Sequence, residues 1–190
     1  NISEEQRKQE KAYKKYVDEH RANVKKAWEN IKNNKKIMDY VKQETGSTEF
    51  FRMQLDSQVQ CHDMSKYDLE EWEAYRINHF PVDDQEIEDN KADYDKAWIH
   101  HYTVNLHHPD WWSINKKQDS MPFAFVVEMC CDWIAMSMKF GGDAYHWYLE
   151  NKKEKDLGVK QDEWTRTILK MYYDPSPHSS TFYIDHSKFS

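Results

Sequence analysis

Glycine and proline are scarce in this chain of 190 residues, with four and five copies. Sandwiches and barrels need such residues for their many tight turns, so the scarcity argues against an all-β fold and for long helices. Cysteine is sparse as well. Cys61, Cys130 and Cys131 form an odd set with two neighbours, which does not fit a disulfide framework and fits a reducing cytoplasm. Adjacent helical residues point about 100° apart, so Cys130 and Cys131 do not readily chelate one ion and are expected in the core. No apolar run approaches about 18 residues, so no membrane span is expected. A positive excess is missing too. The formal net charge is −7, which leaves no broad basic surface to release counterions from a nucleic-acid duplex, although a local basic pocket stays open. The start, Asn1-Ile2-Ser3-Glu4-Glu5, does not read as a secretory leader, and its lack of Met is expected of a trimmed chain.

Aromatic residues are abundant. Eight Trp, twelve Tyr and eight Phe bury much surface per residue, which offsets an apolar content of only 38%. The length suits one domain with a sizeable core. Tyr13, Tyr16, Val17, His20, Val24, Ala27, Trp28 and Ile31 recur at three- and four-residue steps, which predicts an amphipathic helix over 4–33, capped by Ser3 with Gln6. A helix over about 35–44 is expected to end at Thr45-Gly46, and another to run from Ser47 or Thr48 to about Asp63. A short loop then leads to Asp68 and Glu71, read as the capping box of a helix ending near His79. Residues 82–92 are acidic and read as a solvated loop or a first helical turn. A helix follows that carries Ala97, Trp98, His101, Asn105 and His108 on one face and stops at Pro109. Residues 110–120 read as a loop. The most apolar helix is expected over 122–140, ended by Gly141-Gly142. Helices over 143–154 and 161–173 and an irregular tail over 174–190 complete the expectation.

Four of the ten histidines fall in His100-His101-Tyr102-Thr103-Val104-Asn105-Leu106-His107-His108. On a continuous helix, residues 101, 105 and 108 share a face. His107 takes the place of His108 if the helix unwinds before Pro109. His62-Asp63 closes an apolar helix, and Asp132 lies within the most apolar stretch, Phe123 to Met136. Buried carboxylates need a partner or a metal. Glu128 is one turn before Asp132 and is a candidate brace for a ligand histidine. His20 lies on the inner face of the first helix. Imidazole and carboxylate together suit Mn, Fe, Co, Ni or Zn, as one ion or two.

The order His20, His62-Asp63, histidine cluster, Asp132 resembles the HD-domain superfamily of metal-dependent phosphohydrolases. The run His62-Asp63-Met64-Ser65-Lys66 is similar to the His-Asp-x-x-Lys motif of its dinuclear members. More narrowly, blocks between about residues 15 and 155 resemble an uncharacterised HD-like family of bacteria and bacteriophages. The resemblance implies an all-α, single-domain HD-like bundle with the metal site in its core. It implies His20, His62, Asp63 and Asp132 as ligands of a first metal. His101 and His108 would take a second, with Asp63 bridging.

The expected activity is hydrolysis of a nucleotide or other small phosphate ester by a hydroxide held on the metal. Asp63 and Lys66 are the expected catalytic residues. Lys66, Arg76 and Asn105 are the expected substrate contacts. Trp98, Tyr102, Trp111 and Trp112 are candidates for stacking on a nucleobase or for plain packing. Trp147-Tyr148 with Asn151 and Lys152 are candidates for the pocket mouth. The alternatives are an HD-type di-iron oxygenase and a non-catalytic protein that sequesters a nucleotide.

Overall fold

The computed structural model describes residues 1–174. Among the described residues the chain is helical throughout, without strands. Nine α-helices follow in order: α1 (Glu4–Lys32), α2 (Lys35–Thr45), α3 (Thr48–Gln60), α4 (Trp72–His79), α5 (Asp84–Val104), α6 (Pro109–Ile114), α7 (Phe123–Phe140), α8 (Ala144–Lys155) and α9 (Val159–Tyr173). Short 3-10 turns occupy Met64–Tyr67 and Gln118–Ser120. No described helix is long and apolar enough to cross a membrane. Of the tail expected over 174–190, only Asp174 is described; its N–H donates to Lys170 O and closes α9.

Local chemistry explains the boundaries. Ser3 Oγ accepts from Gln6 N–H at the start of α1. Asn34, Ser47, Asp83 and Asp143 each accept a backbone N–H at the starts of α2, α3, α5 and α8. Gly46 ends α2 in the left-handed region at φ 78°, which glycine adopts without a Cβ clash.

Three expectations are corrected. The acidic stretch after Val82 is mostly helix, because Asp83 caps it and Asp84 and Glu86 favour the positive end of the helix dipole. The helix through His101 stops at Val104, so residues 101, 105 and 108 do not share one helical face. Pro109 does not stop that helix; it sits at the first position of α6, where its missing N–H costs nothing, and α6 replaces the first part of the loop expected over 110–120.

The chain divides into two compact units. The first joins Asn1–Arg21 to His62–Leu106. Its core is aromatic: Tyr13 and Val17 of α1, Ala74 and Tyr75 of α4 and Ala97 of α5, flanked by Tyr16, Tyr67, Trp72, Phe80 and Tyr94. Tyr13 meets Trp72 edge-on at 4.8 Å, and Tyr75 meets Tyr94 edge-on at 5.5 Å. The second unit joins Ala22–Cys61 to the described residues from His107 onward. Helix α7 is its axis, with fourteen of eighteen residues buried, and it packs on α3, α8 and α9. Trp133 lies against Trp147 and Tyr148 at 5.1 and 5.4 Å. Cys130 and Cys131 are core residues as expected, and burial pushes both thiols up.

Candidate metal centre

In the first unit the segment 62–67 is pinned to α1. Arg21 Nε donates to His62 O at 3.0 Å, Tyr13 Oη donates to Lys66 O at 3.2 Å, and Tyr67 Oη donates to Asp18. Asp63 itself sits in the left-handed region at φ 54°. Aspartate tolerates that region better than most residues, at a cost of about 1 kcal/mol or more.

His20, His62 and Asp63 are all buried. His20 Nε2 is 3.3 Å from His62 Nε2, and Asp63 Oδ2 lies 3.6 and 3.4 Å from those two nitrogens. A first-row ion about 2.1 Å from tetrahedral ligands holds neighbouring ligand atoms about 3.4 Å apart. The three edges fit that spacing, so these residues could hold a divalent transition ion. The donor set of two imidazoles and one carboxylate fits Mn, Fe, Co, Ni or Zn better than Mg.

Asp63 Oδ1 faces elsewhere, to His101 Nε2 at 3.3 Å. One carboxylate thus spreads its oxygens toward two imidazole groups. Lys66 Nζ approaches Oδ2 at 3.1 Å and is mostly buried, with 16% of its side chain exposed. Burial opposes the charge on Asp63, but His62, Lys66 and His101 outweigh it and hold the carboxyl well below its usual range. Burial also opposes protonation of His101, and Asp63 and Glu71 reverse that to raise its pKa.

Behind His101 stands Glu71. Its oxygens lie 2.6 Å from His100 Nδ1 and 2.6 Å from His101 Nδ1. Burial pushes the Glu71 carboxyl up, and the contacts to His101, Ser65 and His100 bring it below its usual value. Asn105 ends α5 and donates to Ser65 Oγ at 2.7 Å and His101 O at 2.8 Å. Its amide, expected at the substrate, braces the end of the helix.

In the second unit, both His107 and His108 are buried, their ring centroids 4.3 Å apart. Glu128 and Asp132 are one turn apart on α7 and meet the same imidazole. His107 Nδ1 is 2.9 Å from Glu128 Oε2, and His107 Nε2 is 3.7 Å from Asp132 Oδ2. Gln58 Nε2 donates to the other Glu128 oxygen at 3.0 Å. The early end of α5 therefore gives His107 the place in this carboxylate cluster, while His108 becomes the residue before Pro109 at the start of α6.

Arg76 departs most from expectation. It is fully buried, and Nη1 and Nη2 each reach Glu86 at 2.8 Å, with Nη2 also reaching Glu73 at 2.7 Å. Its guanidinium, expected at a substrate phosphate, clamps α4 to the start of α5. Trp98 stacks on His101 with centroids 6.0 Å apart and meets Tyr102 edge-on at 5.5 Å. Trp147 and Tyr148 are core residues, not a pocket rim. His79 lies among Tyr13, Tyr16 and Tyr75, and His146 pairs with Asp143. His178 and His186 lie outside the described residues. Sequence reasoning missed Ser65 and Glu71; Glu71 was assigned to a capping box, where its side chain makes no cap bond.

Fold and site together define an all-helical protein with buried imidazole–carboxylate clusters able to hold a metal ion. A family model described as a family of unknown function (DUF5662) matches residues 9–175, and the chain belongs to that family. No curated protein and no solved structure matches the chain.

Proposed function

We propose that the protein is a metal-dependent phosphohydrolase acting on a nucleotide or other small phosphate ester. The observation that carries this reading is the face formed by His20, His62 and Asp63, with the Lys66 ammonium 3.1 Å from the same carboxylate. The two Nε2 atoms and Asp63 Oδ2 would hold the first ion. His101, facing the second oxygen of Asp63, would hold another. Within the second unit, where the HD-type resemblance expects Asp132 and His108 among the ligands, His107 also stands beside Asp132.

An ion bound there would supply Lewis-acid polarisation of a phosphoryl oxygen and would acidify a water to a pKa of about 7. The chain's own residues do the rest. Asp63 stays ionised because three cationic or imidazole neighbours outweigh its burial. Lys66 supplies a point charge for phosphate oxygens from a stem held largely out of water. Its backbone carbonyl accepts from Tyr13 Oη, which ties this segment to α1.

The test is a screen of nucleotides and simple phosphate esters with the protein reconstituted in Mn, Co, Ni or Mg. Metal-dependent phosphate release, lost in Asp63→Asn, is the expected result. Two irons with an oxygen-dependent spectrum would replace the reading with the oxygenase. Tight nucleotide binding without turnover would replace it with a sequestering protein.

A further inference from the structure

Glu71 has 0% exposure, and a carboxylate so placed needs strong partners. It has two, and they are neighbours in sequence: Oε2 lies 2.6 Å from His100 Nδ1 and Oε1 lies 2.6 Å from His101 Nδ1. Successive helical side chains diverge by about 100°, so two of them meet one group only when it lies between them and spreads its oxygens. The backbone takes over the capping role left vacant, with Asp68 O accepting from Glu71 N and Trp72 N at 3.0 and 2.8 Å. The Glu71 side chain is thereby released for the two imidazoles.

We infer that Glu71 is a positioning residue for the metal centre, which fixes the His101 ring with Nδ1 toward itself and Nε2 toward Asp63, with His100 as the outer brace. The inference rests on the metal reading above. An ionised carboxylate only accepts hydrogen bonds, so it requires the proton on Nδ1 of each histidine. The Nε2 of His101, 3.3 Å from Asp63 Oδ1, is then the nitrogen offered to a cation. His100 keeps 30% of its side chain exposed and serves Glu71 alone among the carboxylates paired with it here. It ties down the second oxygen, so the carboxylate cannot swing away from His101.

The same arrangement recurs in the second unit on unrelated residues. His107 turns Nδ1 to Glu128 at 2.9 Å and Nε2 to Asp132 at 3.7 Å, and Gln58 ties down the other Glu128 oxygen. Each unit thus holds a histidine between a glutamate on Nδ1 and an aspartate on Nε2. Such outer partners fix the tautomer and orientation of a ligand histidine, and their loss typically weakens metal binding about 10–100-fold.

Two measurements test the inference. Imidazole nitrogen NMR on the metal-free wild type reads the proton position directly. A protonated Nδ1 on His101 is expected, whether the ring is neutral or charged; an Nδ1 with the shift of a bare nitrogen overturns the inference. Cobalt titration of Glu71→Gln, followed by its visible ligand-field bands, should then show binding about 10–100-fold weaker with altered bands and an unchanged far-ultraviolet helix signal. Wild-type affinity and bands in the variant overturn the inference while leaving the metal reading intact. A wild type that binds no cobalt contradicts the metal reading instead. Should Glu71→Gln fail to fold, the wild-type nitrogen spectrum decides.

Discussion

Arg76→Met separates a structural arginine from a substrate contact. The replacement keeps a flexible apolar stem and removes the guanidinium. That group is fully buried and donates to Glu86 through both terminal nitrogens at 2.8 Å, and to Glu73 at 2.7 Å. Removing one partner of a buried ion pair costs about 3–5 kcal/mol, because the other charge is left desolvated. Here the partners are less buried: Glu86 keeps 25% of its side chain exposed and Glu73 keeps 54%. Water therefore stabilises much of the stranded charge, and the expected loss falls to about 2–3 kcal/mol. At roughly 2–4 °C per kcal/mol for a chain of this size, Tm should fall by about 4–12 °C. Calorimetric or circular-dichroism melts measure it, alongside KM for whatever phosphate ester the screen identifies. KM should stay near wild type. A melt that does not move, together with a raised KM, would refute the clamp and return Arg76 to the substrate.

Acid should weaken the same clamp. The hydrogen bonds from Arg76, opposed by burial and helped by Val82 N–H, hold Glu86 below its ordinary value of 4.5. A carboxyl depressed in the folded state contributes stability that is complete above its unfolded pKa and is lost as pH falls through the folded one. The stability difference between wild type and Glu86→Gln should thus be widest near neutrality and close once pH drops below the usual carboxylate range; a difference that stays constant into strong acid would contradict it. Lys66→Ala should keep its metal but lose about 10–100-fold in kcat/KM, the worth of about 1.5–3 kcal/mol for a hydrogen bond to a charged group. Loss of metal with no specific effect on turnover per ion would show that Lys66 serves Asp63 and not the substrate.

Much of the fold was legible because its signals are local. The step pattern from Tyr13 to Ile31, the Thr45-Gly46 stop and the mostly apolar stretch from Phe123 before Gly141 each specify a helix without tertiary help. The end of α5 was not. Tyr102 to His108 holds nothing that forbids a helix, and the chain leaves it at Val104, with Asn105 bonded back to His101 O and across to Ser65. That choice depends on a residue forty positions away. It brings His107 to the carboxylates of α7. Glu71 failed for a related reason. Its spacing from Asp68 matches a capping box, and only the tertiary fold reveals two imidazoles within reach. Arg76 was ambiguous because a guanidinium suits phosphate and carboxylate alike, and its partner Glu86 is ten residues away in a stretch that reads equally as a loop. His62-Asp63 and Asp132 were legible because buried carboxylates in apolar surroundings demand partners wherever they occur.

Metal analysis of wild type and Asp63→Asn, after reconstitution and exhaustive dialysis, tests the central claim most directly. Asparagine suits this position, since it tolerates the left-handed backbone that Asp63 adopts at φ 54°, while it removes the charge and replaces one ligand oxygen with an amide NH2 that does not bind a cation. Retention of at least one transition ion per wild-type chain, and loss of it by a variant with an unchanged helix signal, is the predicted result. A wild type that retains none, or a variant that retains as much as wild type, would contradict the account.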